Sequence, residues 1–254
     1  MDISVSKQDG ILTIGFSRPE KKNAITAAMY QAMADALKEA ESDPATRVIM
    51  FVGLAQIFTA GNDLEDFMKH PPGGVDSPVV QFMRALSGAA KPVVAAVSGA
   101  AVGIGTTMLL HCDLVYAADN AKFSMPFTQL GLCPEFASSV TLQRVAGYHR
   151  AAEKLLLGEP FLAQEAWEMG IVNKVLPLEE LLLYATAQAS KLVALPPASL
   201  RATKALMKRA QVAADQATMA EEMGHFARML TAPEAKEAFT AFFEKRRPDF
   251  SRFS

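Results

Sequence analysis

Apolar and polar positions alternate from the start of the chain. Ile3 and Val5 are separated by polar residues, Gln8-Asp9-Gly10 reads as a turn, and Ile11 to Phe16 alternates again, which predicts a β-hairpin. After Arg18-Pro19-Glu20-Lys21-Lys22-Asn23, Thr26 is placed to cap a helix whose apolar positions Met29, Met33 and Leu37 recur at helical spacing. Arg47 to Val52 reads as a buried strand, and Pro92 to Val97 and Asp113 to Ala117 are two more. His70 to Pro78, dense in Pro and Gly, predicts a mobile loop. From Ser138 onward the periodicity is almost wholly helical, ending in helices near 197–213, 215–230 and 233–247, with Ile171 to Val175 the one later strand. Strands separated by helices pair in parallel through crossovers. Residues 1–195 should therefore form a mainly parallel sheet flanked by helices, and residues 196–254 a helical segment. The apolar positions of that segment, Leu200, Met219, Phe226 and Phe239 among them, would either cover the sheet or be buried in a subunit interface.

Composition narrows the class. The 254 residues carry 25 Lys+Arg against 27 Asp+Glu, a formal net charge of −2, and half of them are apolar. With a pI of about 6.1, no nucleic-acid partner is expected, since such partners select strongly basic domains. Cys112 and Cys133 cannot build a disulfide framework or a paired zinc site, and read as core residues of a reducing compartment. The N-terminal MDISVSKQDG lacks the basic and apolar regions of a secretory signal. The longest weakly polar run, Pro92 to Leu110, is too rich in Gly, Ser and Thr for a membrane span. The expectation is a cytoplasmic protein without metal or membrane partner.

Two segments offer chemistry. Phe58-Thr59-Ala60-Gly61-Asn62-Asp63-Leu64 follows the strand at 47–52, with small residues that let a ligand approach the backbone and an Asp that can cap a short helix. Ser98-Gly99-Ala100-Ala101-Val102-Gly103-Ile104-Gly105 lies between a buried strand and the apolar helix Thr106 to His111, where peptide N–H groups face whatever precedes the helix. A phosphate loop fails, because position 108 is Met where G-x-G-x-x-G needs Gly. A nucleophile elbow fails too, since Ser98 follows Val97. Each segment follows a strand and precedes a helix, so one N–H from each could converge on a developing oxyanion.

FTAGNDL, SGAAVGIG, then FSMPFTQLGLCPEFASS and WEMGIVNKV, in this order and between RPEKKNAIT at 18–26 and AFFEKRRPDF at 241–250, resemble the enoyl-CoA hydratase/isomerase (crotonase) family over nearly the whole chain. The resemblance implies an α/β, crotonase-like ββα spiral over 1–195 with a helical C-terminal trimerisation segment, hence a homotrimer or hexamer. It implies an acyl-CoA substrate, CoA being part of the substrate rather than a cofactor. It places the two oxyanion amides on Asn62 and Ile104. It assigns CoA and substrate contacts to Lys22, Ala24, Ala60, Gly61, Asn62, Asp63, Leu64 and Gly103, and to Phe242 and Lys245 of the last helix, sometimes across a subunit boundary.

Departures from the family pattern select the reaction. The two glutamates of a typical hydratase fall here on Thr107 and Phe127, and the nucleophile of the fold's serine peptidases falls on Gly103. None of these can do the corresponding work. Glu135, in Leu132-Cys133-Pro134-Glu135-Phe136, instead resembles the single carboxylate of the Δ3,Δ2-enoyl-CoA isomerase branch, which moves a 3-enoyl double bond to trans-2. Apolar neighbours should raise its pKa, as suits a base that must return its proton. Hydration by an unfamiliar acid–base set and non-catalytic acyl-CoA binding are the alternatives. His111, near a helix end, is expected to be a cation stabilised by the helix dipole. Trp167 is expected in the core, and Met68, Met83 and Met108 could line a pliable acyl pocket.

Overall fold

In the computed structural model, residues 2–53, 57–69, 74 and 76–253 are described. Most of the expected loop at 70–78, His70 included, lies outside the described residues. β1 (Ile3–Gln8) and β2 (Ile11–Phe16) form the predicted hairpin. Asp9 and Gly10 have φ of 49° and 79°, the paired positive angles of the turn that matches strand twist. α1 (Ala27–Ser42) starts where expected, with the Thr26 hydroxyl accepting from the Met29 amide at 3.3 Å. β3 (Val48–Gly53), α2 (Leu64–Lys69), α3 (Pro78–Ser87) and β4 (Val93–Val97) follow.

Beyond β4 the chain makes β5 (Ala100–Val102), α4 (Ile104–Thr107), a 3-10 turn at Met108–His111, β6 (Leu114–Ala118) and β7 (Lys122–Ser124). α5 (Ser138–Ala146), α6 (Tyr148–Leu157), β8 (Phe161–Leu162), α7 (Ala163–Glu168), β9 (Lys174–Leu176) and α8 (Leu178–Ala194) complete the first part. The C-terminal segment is α9 (Pro197–Lys208), α10 (Val212–Leu230) and α11 (Pro233–Phe243). The main sheet has six strands in the order β1-β2-β3-β4-β6-β9, parallel except for the hairpin, and a second sheet of three strands runs β5-β7-β8.

Burial on both faces explains the unbroken apolar run of β3. Ile49 and Phe51 point into a core shared with α1 and α3, whereas Val48, Met50 and Val52 point to a second core closed by Leu181, Ala185 and Ala189 of α8. One face of the sheet is thus closed by α8 and the other by the core that holds α1 and α3. Met219, Phe226 and Phe239 of the C-terminal helices join the first core, while Met207, Phe242 and Phe243 stay exposed.

Several elements differ from the pattern read in the sequence. The segment 98–105 contains β5, and the helix expected over 106–111 is broken into α4 and the 3-10 turn. The strand expected from Ile171 begins at Lys174. β7 and β8 have three and two residues, too few to display alternation, and exist because β5 and each other supply their hydrogen-bond partners. Trp167 is 49% exposed rather than in the core. Among the described residues no helix is long and apolar enough to cross a membrane.

Candidate active site

β3 and β4 are hydrogen-bonded neighbours, so the two small-residue segments leave adjacent carboxyl ends of parallel strands, the place where ligands of such sheets bind. They are stitched together directly. Thr59 N–H donates to the Ala100 carbonyl at 2.9 Å, and Val102 N–H to the Thr59 carbonyl at 3.0 Å. Thr59 pairs with Ala101, and Asn62 and Ile104 each lie three residues beyond their member of that pair. Among the described residues neither the Asn62 nor the Ile104 amide has a hydrogen-bond acceptor. Gly103 donates to the Ser124 carbonyl at 2.9 Å, and its φ of 55° makes the sharp entry into α4.

Close approach of the two loops depends on glycine. A Cβ on Gly61, whose φ is 84°, would lie 2.7 Å from the Val102 carbonyl oxygen, and one on Gly105 2.5 Å from the Thr59 methyl. The loop at 18–26 is braced to the same unit. Ala60 N–H donates to the Lys22 carbonyl at 3.0 Å, Ile25 N–H to Gly61 at 2.8 Å and Asp63 N–H to Ile25 at 2.9 Å. Asp63 binds Arg18 at 2.7 Å, and its other oxygen caps α2 at the Glu65 and Asp66 amides, as its position predicts. Arg18 also donates to the Ala24 carbonyl. Lys22, Ala24, Ala60, Gly61, Asn62, Asp63 and half-buried Leu64 therefore belong to one rigid corner.

Glu135 comes to this corner from the opposite side. It is 6% exposed and accepts a hydrogen bond from the Thr107 hydroxyl at 2.6 Å. Burial pushes its pKa up to about 8; the Thr107 bond pulls against this and the charge of Glu222 adds to it. Thr107, though not a carboxylate itself, is thus a direct partner of the one that is present. The next two residues, Phe136 and Ala137, have φ of 60° and 56°, which costs non-glycine residues about 1–3 kcal/mol each. The strain is held. The His111 ring stacks on Phe136 with centroids 3.9 Å apart, and its Nε2 lies 2.8 Å from the Phe136 carbonyl. Burial lowers the His111 pKa to about 4, so the ring is neutral and its Nε2–H donates. The expected dipole-stabilised cation is incorrect, because desolvation outweighs the dipole.

A cavity of about 310 Å³ opens between α3 and α10, with Asn62 and Glu135 on its wall and Phe67, Val79, Val80, Met83, Met223 and Phe226 around them. Glu135 is the one ionisable side chain on that wall among the described residues. Of the methionines expected there, Met83 lines the cavity, Met108 is fully buried elsewhere and Met68 is exposed. Phe242, packed edge-on to Phe243, and Lys245, just past α11, are exposed and are not brought to the cavity. Burial pushes the thiols of Cys112 and Cys133 up to about 12 and about 11, leaving both protonated and unreactive.

Two contributors escape a motif reading. The Tyr30 hydroxyl donates to Asn62 Oδ1 at 2.5 Å and fixes that side chain from α1. Glu222 is buried on α10 with Met219 and Phe226, half-buried Met223 beside it, and a carboxylate in an apolar stripe at this spacing is the available signal.

The chain matches the family described as enoyl-CoA hydratase/isomerase over residues 6–252. It is 33% identical over 250 residues to a 2,3-dehydroadipyl-CoA hydratase of Escherichia coli (strain K12), covering 98% of both chains. It is 39% identical over 214 residues to enoyl-CoA delta isomerase 2 of Rattus norvegicus, covering 82% of this chain and 54% of that one, so it spans about half the length of that relative. Among solved structures, an enoyl-CoA hydratase/isomerase from Pseudoalteromonas atlantica T6c superposes with a TM-score of 0.94 at 38% identity, covering 98% of this chain and 100% of that one. The chain belongs to the enoyl-CoA hydratase/isomerase family.

Proposed function

We propose that this family member converts 3-enoyl-CoA to trans-2-enoyl-CoA, with Glu135 as its single acid–base group and the Asn62 and Ile104 amides as the oxyanion hole. The observation that carries this reading is the cavity wall itself, where Glu135 is the one ionisable side chain among the described residues. Its carboxylate takes a proton from C2 of the acyl chain. The C2–H electron pair flows into the thioester, giving a dienolate whose oxygen the two amides stabilise. The protonated Glu135 then returns the proton to C4, and the double bond settles between C2 and C3. The step is redox-neutral, and CoA serves as the handle of the substrate. A pKa of about 8 suits a group that must both remove and return a proton near neutral pH.

The braced corner at Lys22, Ala24 and Ala60 to Leu64, with Gly103 opposite, is the CoA and thioester platform of this reading. Phe242 and Lys245 are exposed at the far end of the chain, so they would touch CoA bound to a neighbouring subunit. A homotrimer, alone or paired into a hexamer, follows from the same reading and would cover the exposed Leu206, Met207, Phe242 and Phe243. Light scattering should therefore give three or six times the 27.3 kDa chain mass, and a stable monomer at micromolar concentration contradicts it.

The similarity to the E. coli hydratase favours hydration as the second reading. Water addition by two carboxylates finds Thr107 and Phe127 where the two glutamates of such a site would be needed. Purified protein given 3-enoyl-CoA substrates of graded length, beside crotonyl-CoA, separates the two. The expected result is 2-enoyl-CoA formation at least about 100-fold faster than crotonyl-CoA hydration, the weight of a missing acid–base group. Faster hydration reverses the assignment.

A further inference from the structure

α5 begins at a residue that cannot cap it. Ala137 is the N-cap, has no side-chain acceptor and sits in the left-handed region with φ 56°. Ser138, the next residue, does not help, since its buried hydroxyl has no hydrogen-bond partner among the described residues. The cap comes from α10. Glu222 accepts from the Ala137 amide at 2.6 Å through one oxygen, and from the Ser139 amide at 3.0 Å and hydroxyl at 2.5 Å through the other. This carboxylate is 7% exposed. Burial raises its pKa, and the three donors and the helix N-terminus favour the anionic form against that rise.

The capped residues directly follow Glu135. Phe136 and Ala137 are consecutive left-handed residues, a conformation that non-glycine residues keep only when their surroundings enforce it. His111 fixes the Phe136 carbonyl and ring, and Glu222 fixes the Ala137 amide. The same helix also lines the acyl cavity through Met223 and Phe226. We propose that Glu222 is a positioning residue for proton transfer: it caps α5 from 85 residues downstream and so holds the turn that aims Glu135 at the acyl chain. This rests on the reading of Glu135 as the acid–base group.

Glu222 has a second effect on Glu135, through charge. The groups facing Glu135 are Thr107 from the helix after Gly103, Tyr30 from α1, the protonated Cys133 from its own loop and Glu222 from α10. His111 is neutral. Among these described groups Glu222 is the one whose negative charge acts on Glu135, and that charge raises the Glu135 pKa.

Glu222→Gln keeps the size of the side chain and removes that charge, while its amide can no longer accept from every donor. Turnover of 3-enoyl-CoA at saturation should fall about 10–100-fold with KM changed less than about threefold, and the ascending limb of the kcat–pH profile should move to lower pH. A role confined to folding moves no limb. Unchanged kcat, or a limb that stays in place, overturns the proposal. Ser139→Ala removes the hydroxyl donor while keeping the charge; it should lower kcat severalfold and leave the limb in place, so it decides the matter if Glu222→Gln does not fold. Glu135 can also be titrated without any reaction, by the infrared carboxylic C=O band that disappears in Glu135→Gln. Wild type that turns over no 3-enoyl-CoA defeats the isomerase reading. The shift of that band in Glu222→Gln then still tests the coupling, and a band that titrates as in wild type defeats it.

Discussion

Glu135→Gln should lose isomerase turnover by about 10²–10⁴-fold, the worth of a positioned general base, while still binding saturated acyl-CoA. The Gln side chain keeps the shape of Glu and can still accept from the Thr107 hydroxyl, which lies 2.6 Å from Glu135 Oε1. The proposed oxyanion donors are backbone groups and the proposed CoA platform lies in other loops, so calorimetric affinity for a saturated acyl-CoA should change little. Steady-state kinetics beside calorimetry checks both halves. Near-normal turnover would remove Glu135 from the mechanism. Asp66, another acid beside the corner, already accepts from the Ala27 amide at 2.7 Å.

The same substitution should raise stability at alkaline pH. Glu135 titrates at about 8 in the folded chain and near 4.3 when unfolded. A raised carboxyl pKa contributes stability that is full below the unfolded value and is lost as pH rises through the folded one. The loss is on the order of 4–5 kcal/mol at most, at about 1.4 kcal/mol per pKa unit. Gln carries no such dependence. Denaturant melts should place the variant close to wild type at pH 4.5 and above it at pH 9, while wild-type kcat/KM climbs toward pH 8. An identical pH dependence of stability in both proteins means that Glu135 ionises freely in the folded state. The protein thus keeps an expensive group at its centre, which is what a site selected for proton transfer is expected to show.

Legibility in the sequence follows how local each interaction is. The β1–β2 hairpin, the Thr26 cap and β3, β4 and β6 are visible because alternation, a cap or a doubly buried run lies within a few consecutive residues. The corner around Gly61 and Gly103 is visible as two clusters of small residues after strands. What escaped depends on partners distant in sequence. β7 and β8 exist through pairing, Thr107 acquires its role only beside Glu135, and Glu222 reaches its partners from 85 residues away. The state of His111 turns on burial, which its place near a helix end does not disclose. The exposure of Trp167 is hidden for the converse reason, since a large aromatic side chain says nothing about whether a neighbour covers it.

Gly61 and Gly105 make the oxyanion corner testable without touching a functional side chain. In Gly61→Ala the new methyl would meet the Val102 carbonyl oxygen at 2.7 Å. That atom is backbone, pinned on both sides by the hydrogen bonds of Thr59 and β5, and the φ of 84° adds strain of about 1–3 kcal/mol for any side chain. The loops must separate, which moves the Asn62 amide away from the oxygen it would stabilise. Loss of one such donor costs about 10²–10³ in rate, and turnover of folded Gly61→Ala should fall by that much. Gly105→Ala fails for a different reason, because the obstructing atom is the Thr59 methyl at 2.5 Å. Thr59→Ser removes that methyl and keeps the hydroxyl that donates to the Asn23 carbonyl at 2.6 Å and accepts from the Gly61 amide at 3.1 Å. The next atom in the way is then the Thr59 carbonyl oxygen at 3.3 Å, a distance that a small adjustment relieves. Thr59→Ser should therefore restore most of the activity lost in Gly105→Ala and none of that lost in Gly61→Ala. Rescue of both variants, or of neither, would mean that the two loops are not held at the separation on which the oxyanion assignment depends.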